Sequence, residues 1–266
     1  MKRLTPLCAA AAAAFALATP AQAVPVALEL YLAADISGSV DGTDFALQRQ
    51  GFAQAFQSAA VQSAIASVGS VAVKLVDFAT GLSVAVDWTL ISNAAQANAF
   101  AAAVLAAPRG SAGSGDNQSG LIDAALADMN SNAFEGTRRV LDIASEGAQS
   151  TGGCSSGLVC VPVQTARDNF LANGGTTINA IWLNDRNFFG LDPEDAVNAY
   201  EYGALNVIGG ANAFQTFAVD FTAFAEAIER KIEREIIGTV PEPGGLTLVG
   251  AALLAAGLAR RTARRA

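Results

Sequence analysis

The stretch Ala27-Leu28-Glu29-Leu30-Tyr31-Leu32-Ala33-Ala34 is almost wholly apolar and stops abruptly at Asp35. A strand with one wet face would alternate, whereas a continuous apolar run needs cover on both faces, as a central strand of a parallel sheet does. The chain must therefore supply helices on both sides of that strand. Phe45, Phe52, Ala55, Phe56 and Ala59 share one stripe of a helix over about 43–59. Residues 71–76 and 83–88 read as two strands joined through Thr80-Gly81, a hairpin. An alanine-rich helix over about 93–106 ends before Pro108, and 110–115 is a loop by composition. Asn117 or Ser119 can cap the next helix, whose buried side carries Leu121, Ala125 and Met129. Strands at 139–145 and 177–183 follow, with a helix near 162–173 between them. A last helix starts at about Phe221, with Phe221, Phe224, Ala225, Ile228 and Ile232 as its seam. This order predicts an α/β fold: a doubly wound, mostly parallel, Rossmann-like sheet with helices on both faces and one antiparallel edge strand.

The place where the first strand stops is where open α/β sheets bind ligands. Asp35-Ile36-Ser37-Gly38-Ser39 sets one carboxylate and two hydroxyls at alternate positions there. Three hard oxygens suit Mg²⁺ first, with Mn²⁺ and Ca²⁺ as alternatives, and do not suit soft metals. On its own the pattern also fits a turn or a helix cap. Gly113-Ser114-Gly115 does not extend to a dinucleotide fingerprint, because Gln118 stands at its last position. Asp142 lies inside an apolar strand and reads as a helix-facing, hydrogen-bonded aspartate. Asp185, in Asn184-Asp185, reads as a turn cap near the same end of the sheet.

The 266 residues include no histidine. That excludes Ser-His-Asp and Cys-His nucleophile pairs and His-ligated zinc, and no enzyme activity is expected. Residues 24–240 carry ten Lys or Arg against twenty-three Asp or Glu, a net charge near −13. Such a surface repels nucleic acid and anionic lipid and attracts cations.

Both ends of the chain read as addresses. Residues 1–23 begin Met1-Lys2-Arg3, continue through an alanine-dominated apolar stretch and close on Pro20-Ala21-Gln22-Ala23, the order of a secretory signal peptide for a signal peptidase. An alanine-rich first helix is the other reading. Residues 240–266 hold Val240-Pro241-Glu242-Pro243, an apolar run from Gly244 to Ala259 and Arg260-Arg261-Thr262-Ala263-Arg264-Arg265. Sixteen helical residues reach ~24 Å, short of a ~30 Å hydrocarbon core. This sequence resembles the Pro-Glu-Pro sorting signal that an exosortase processes in exported bacterial proteins. The resemblance implies a short transmembrane helix, transient anchoring in the inner membrane and delivery to the cell surface or extracellular matrix; a permanent tail anchor is the alternative. In an exported protein Cys154 and Cys160, across a short Ser/Gly turn, most simply form a local disulfide, with two free buried thiols as the other possibility.

With Asp35 to Val40 go Leu47-Gln48-Arg49, Trp88-Thr89-Leu90-Ile91, Arg138-Arg139-Val140 running to Glu146-Gly147-Ala148, Ile178-Asn179, Leu183-Asn184-Asp185, Asn206-Val207-Ile208-Gly209-Gly210 and the final helix to Ile236. In these stretches the chain resembles a von Willebrand factor type A domain with a metal-ion-dependent adhesion site. More closely, it resembles an uncharacterised bacterial family of exported type A domains. The likeness covers residues 24–237 and implies a sheet order of 3-2-1-4-5-6. It also implies three ligating loops. Asp35, Ser37 and Ser39 match the first. In the second, the expected threonine is replaced by Asn117, with Asp116 or Ser119 able to substitute after a small shift. In the third, Glu146 stands where aspartate is usual, to bind directly or displace a water. The function implied is an exported binding module whose cation takes an acidic group of a partner protein or an anionic polysaccharide. The alternative is a structural or assembly component of the matrix with a vestigial site.

Overall fold

A computed structural model describes residues 23–151, 153, 154, 158–183 and 199–238 of the chain. Residues 1–22, Asn184-Asp185 and the 240–266 segment lie outside the described residues.

The first apolar run is strand β1 (Val24–Asp35). It lies between β2 (Val71–Phe78) and β4 (Phe134–Ser145), parallel to both. β3 (Leu82–Ile91) closes one edge antiparallel to β2, as the hairpin requires. Beyond β4 comes β5 (Thr177–Leu183), also parallel, and β5 pairs in turn with β6 (Gly209–Gly210), antiparallel, and β7 (Gln215–Ala218), parallel. The order β3-β2-β1-β4-β5-β6 is the doubly wound order expected, with β7 as an addition that the sequence pattern did not signal.

Helices α1 (Gly42–Gln57), α2 (Ala59–Val68), α3 (Ala94–Ala106) and α7 (Phe221–Ile237) cover one face. Leu28, Leu30 and Leu32 point into that core, against Phe52, Phe56, Phe224, Ile228 and Ile232. The alternate residues Tyr31 and Ala33 face the second core, with Leu121, Ala125 and Met129 of α4 (Gln118–Met129), Phe170 of α5 (Val161–Ala172), and Trp182 and Tyr202. The period of two along β1 thus feeds two cores. α6 (Ala199–Tyr202) and a π turn over Gly203–Val207 lead into β6.

Three expectations need correction. The helix over 43–59 is two helices, because Ser58 takes extended backbone, ends α1 and caps α2 through its hydroxyl, which accepts from Val61 N; Ala59 is consequently exposed. β4 starts at Phe134 rather than 139, because its polar first half still pairs along β1. In α7 the seam also takes in Lys231 and Glu235, both 2% exposed, while Ala225 is only half-buried. Among the described residues no helix is long and apolar enough to cross a membrane. Cys154 and Cys160 are disulfide-bonded, with Cα atoms 5.2 Å apart.

Candidate metal centre

Strand polarity brings the ends of β1 and β4 to one rim, and side-chain chemistry draws three loops together there. Asp35 is fully buried. Its Oδ1 accepts from Ser37 N at 2.7 Å and its Oδ2 accepts from Ser145 Oγ at 2.6 Å. Ser37 and Ser39 place their hydroxyls 3.2 Å apart; Ser37 is buried and Ser39 exposed. The two hydroxyls of the first loop thus face each other, and the Asp35 carboxylate is tied into the same turn through Ser37 N.

In the second loop two neighbours divide the work. Asn117 caps α4: its Oδ1 accepts from Gly120 N at 3.0 Å and from Ser119 Oγ at 3.3 Å, and its Nδ2 donates to Thr80 O. Its amide oxygen, the expected ligand, is thus engaged by the helix. Asp116 is the residue of this loop whose carboxyl lies near enough to Asp35 and Ser37 for both to act on its charge. Its backbone is fixed from the third loop, since Ser150 N, Thr151 N and Thr151 Oγ1 all donate to Asp116 O while Ser150 Oγ accepts from Asp116 N. Burial first, then the Asp35 carboxylate, with a smaller contribution from Glu146, pushes the Asp116 carboxyl up to about 9.

The third loop supplies Ser145 and Glu146. Glu146 is half-buried and close enough to Asp116 for their charges to interact. Two glutamines lock this loop to α4: Gln118 Nε2 donates to Gly147 O at 2.7 Å, and Gln149 Oε1 accepts from Ser119 N at 2.7 Å.

Arg109 fixes the first loop from outside. Its guanidinium donates to the carbonyls of Ile36, Ser37, Val40 and Asp41, at 2.9, 3.3, 2.8 and 3.2 Å. The next residue is anchored by Gly110 N donating to Asp77 Oδ2, and Asp77 is itself clamped by Arg49 at 2.5 Å in the interior. Sequence reasoning passed over Arg109, Ser145 and the two glutamines, because nothing in local spacing marks a side chain that acts on a distant loop.

The donor chemistry fits a hard divalent cation. Asp116 Oδ1 is buried and has no hydrogen-bond partner among the described residues. The Asp35 and Glu146 carboxylates both act on the Asp116 carboxyl and oppose its ionisation. Among the described residues no group of three His, Cys, Asp or Glu side chains is placed to hold a metal ion.

Over residues 25–240 the chain matches the model of a family described as protein of unknown function (DUF1194). The chain belongs to that family. No curated protein matches the DUF1194 chain in sequence. Solved structures share its fold. Proximal thread matrix protein 1 from the mussel byssus is 11% identical with a TM-score of 0.53, covering 81% of this chain and 49% of that one. The von Willebrand factor type A protein from Catenulispora acidiphila is 14% identical with a TM-score of 0.51, covering 80% and 43%. The pilus adhesin SpaC from Lactobacillus rhamnosus GG is 16% identical with a TM-score of 0.52, covering 82% and 31%. The DUF1194 chain thus spans half or less of each of these proteins. At such identities the likeness is one of fold: DUF1194 takes the von Willebrand factor type A architecture.

Proposed function

We propose that this protein is an exported binding module of the cell surface or extracellular matrix. It would hold a divalent cation, Mg²⁺ first, through Asp35, Ser37, Ser39 and Asp116, with Glu146 at the margin. The observation that carries this reading is the buried Asp116 oxygen without a partner, facing a second carboxylate where two strands end. A cation bound there would supply positive charge and an open position for an acidic group of a protein or an anionic polysaccharide. The chain's own part is to preorganise oxygens. Arg109 freezes the backbone of the first loop, Ser145 orients Asp35, and Asn117 and Gln149 hold the start of α4 beside Asp116. The shared fold of a pilus adhesin and a thread matrix protein supports an adhesive use. The amino-terminal signal peptide and the Pro-Glu-Pro segment support export, with signal peptidase and exosortase as the processing partners.

Calorimetric titration of the protein with Mg²⁺, Mn²⁺ and Ca²⁺, beside Asp35→Ala, tests this. Binding in the wild type that disappears in the variant is expected. Absence of heat with all three ions in a folded wild type overturns the metal reading and leaves the structural component, indifferent to chelators, in its place.

A further inference from the structure

Three residues down β4 from Ser145, three ionisable side chains meet in the interior between β4 and α7. Lys231 Nζ lies 2.5 Å from Asp142 Oδ1 and 2.5 Å from Glu235 Oε1. Asp142 is 1% exposed, and Lys231 and Glu235 are 2% exposed. The two contacts differ in kind. Lys231 donates a hydrogen bond to Glu235, whereas neither oxygen of Asp142 meets hydrogen-bond geometry with any partner among the described residues, although Nζ is so close. The amine therefore approaches the Asp142 carboxyl off the direction of a hydrogen bond. Asn179 Nδ2 holds Glu235 Oε1 at 2.9 Å from the other side, and the Phe214 ring centre is 5.4 Å from Nζ.

We propose that Lys231 and Asp142 condense into an intramolecular isopeptide bond, Nζ to Cγ, with Glu235 as the proton carrier. The ammonium first returns a proton to the Asp142 carboxylate, so that a neutral amine faces a neutral acid. Nζ attacks Cγ, and the C–N bond forms as the C–OH bond breaks. Glu235, in its acid form, gives its proton to the departing hydroxyl, which leaves as water, and takes one proton back from Nζ. The products are one amide, one water and the regenerated Glu235 acid; no oxidant or other reactant enters. Burial and the adjacent Asp142 hold Glu235 protonated at neutral pH, as a carrier needs.

The surroundings favour the step. Keeping an ion pair dry is costly for each ion, a cost that a neutral amide does not carry. The water has an exit, because Glu235 and Asn179 line a cavity of about 360 Å³ that also reaches Thr177, Phe214 and Gly238. Asp142 rather than Glu235 is the acceptor, since Glu235 Oε1 is already held by Asn179 and Lys231 in ordinary hydrogen bonds. The bond would tie β4, in the middle of the sheet, to the last helix.

Peptide mapping and intact mass of the purified full chain, reduced and alkylated, test this. The wild type is expected to be lighter than its sequence by one water. Trypsin should leave Lys231 uncut, in a branched peptide joined to residues 140–167, with fragment ions placing the branch at Asp142. Lys231→Met and Glu235→Gln should restore the sequence mass. A wild type of unreduced mass, cleaved after Lys231 once denatured, overturns the proposal, as does a branch located at Glu235. Should either variant fail to fold, the wild-type digest decides alone.

Discussion

Ser145 Oγ donates a hydrogen bond to Asp35 Oδ2 over 2.6 Å, so the ends of two adjacent strands are joined at the carboxylate that opens the Asp35–Ser39 loop. The hydroxyl is buried, and so is the acid it serves. Replacing Ser145 by alanine leaves a buried acceptor short of one partner, which costs about 1–3 kcal/mol. The expected result for Ser145→Ala is a matching loss of stability in urea and a weaker cation affinity by calorimetry. Unchanged affinity would show that Asp35 needs no help from the neighbouring strand.

Cation binding should be visible in thermal melts. A ligand present at a hundred times its Kd stabilises the native state by about 2.7 kcal/mol, and for a domain of this size that raises Tm by roughly 5–10 °C. Adding Mg²⁺ in that excess, and withdrawing it with a chelator, should move the wild-type melt up and back. Asp116→Asn should melt at or above the metal-free wild type, because a neutral amide at this buried position needs no proton uptake on folding, and should no longer respond to Mg²⁺.

Arg109 is exposed, yet it gathers four carbonyls of one loop. Arg109→Ala should change global stability by less than about 1 kcal/mol, as surface positions do, while weakening cation affinity about tenfold or more. Faster amide exchange across 36–41 in the variant, with the core unaffected, would locate the effect. A lysine at 109 offers a point charge instead of a planar fork, and should rescue little.

Glu235 gives stability a pH slope. Its carboxyl is pushed up to about 8, first by burial and then by Asp142, against the pull of Lys231 and Asn179. Arg138, on the neighbouring strand, is the other charge that feels it. An acid whose folded pKa lies above its unfolded value keeps its proton in the native state while the unfolded chain releases it. Stability from this group is thus full below about 4.5, declines as pH rises and is lost beyond about 8. Burial, the first cause, acts whether or not Lys231 and Asp142 are joined, so urea melts across that window should show the decline in the wild type and a flatter profile in Glu235→Gln.

Gly51 tests how tightly α1 and α7 are packed. A Cβ there would come within 2.5 Å of the Phe224 ring and 3.3 Å of the α7 backbone. Overpacking of this kind costs about 1–3 kcal/mol, so Gly51→Ala should lower the urea midpoint without touching cation affinity.

Much of this fold was legible because apolar spacing is a local signal. β1, the hairpin, α3 and α7 follow directly from it, and β5 has the bounds its pattern implies. What escaped was decided by partners distant in sequence. Lys231 and Glu235 found no place in the apolar seam read from the sequence, and only Asp142 and Asn179 opposite them explain their burial. Asn117 is the helix cap that the sequence allowed, its oxygen taken by Gly120 N; what the sequence did not mark is that the neighbouring Asp116 is the carboxyl on which Asp35 acts. β7 is four residues long, too short for any periodicity to announce it.

The helix that ends at Gly238 does so beside Arg138, which donates to the carbonyls of Glu235 and Ile236 and lies opposite Leu28 on β1. Seven residues of strand then separate that level from Asp35, roughly 20 Å at ~3.3 Å each. Val24, where β1 begins, is at the same pole. Both ends of the described domain thus lie at the pole opposite Asp35, which leaves the rim where β1 and β4 end clear of them.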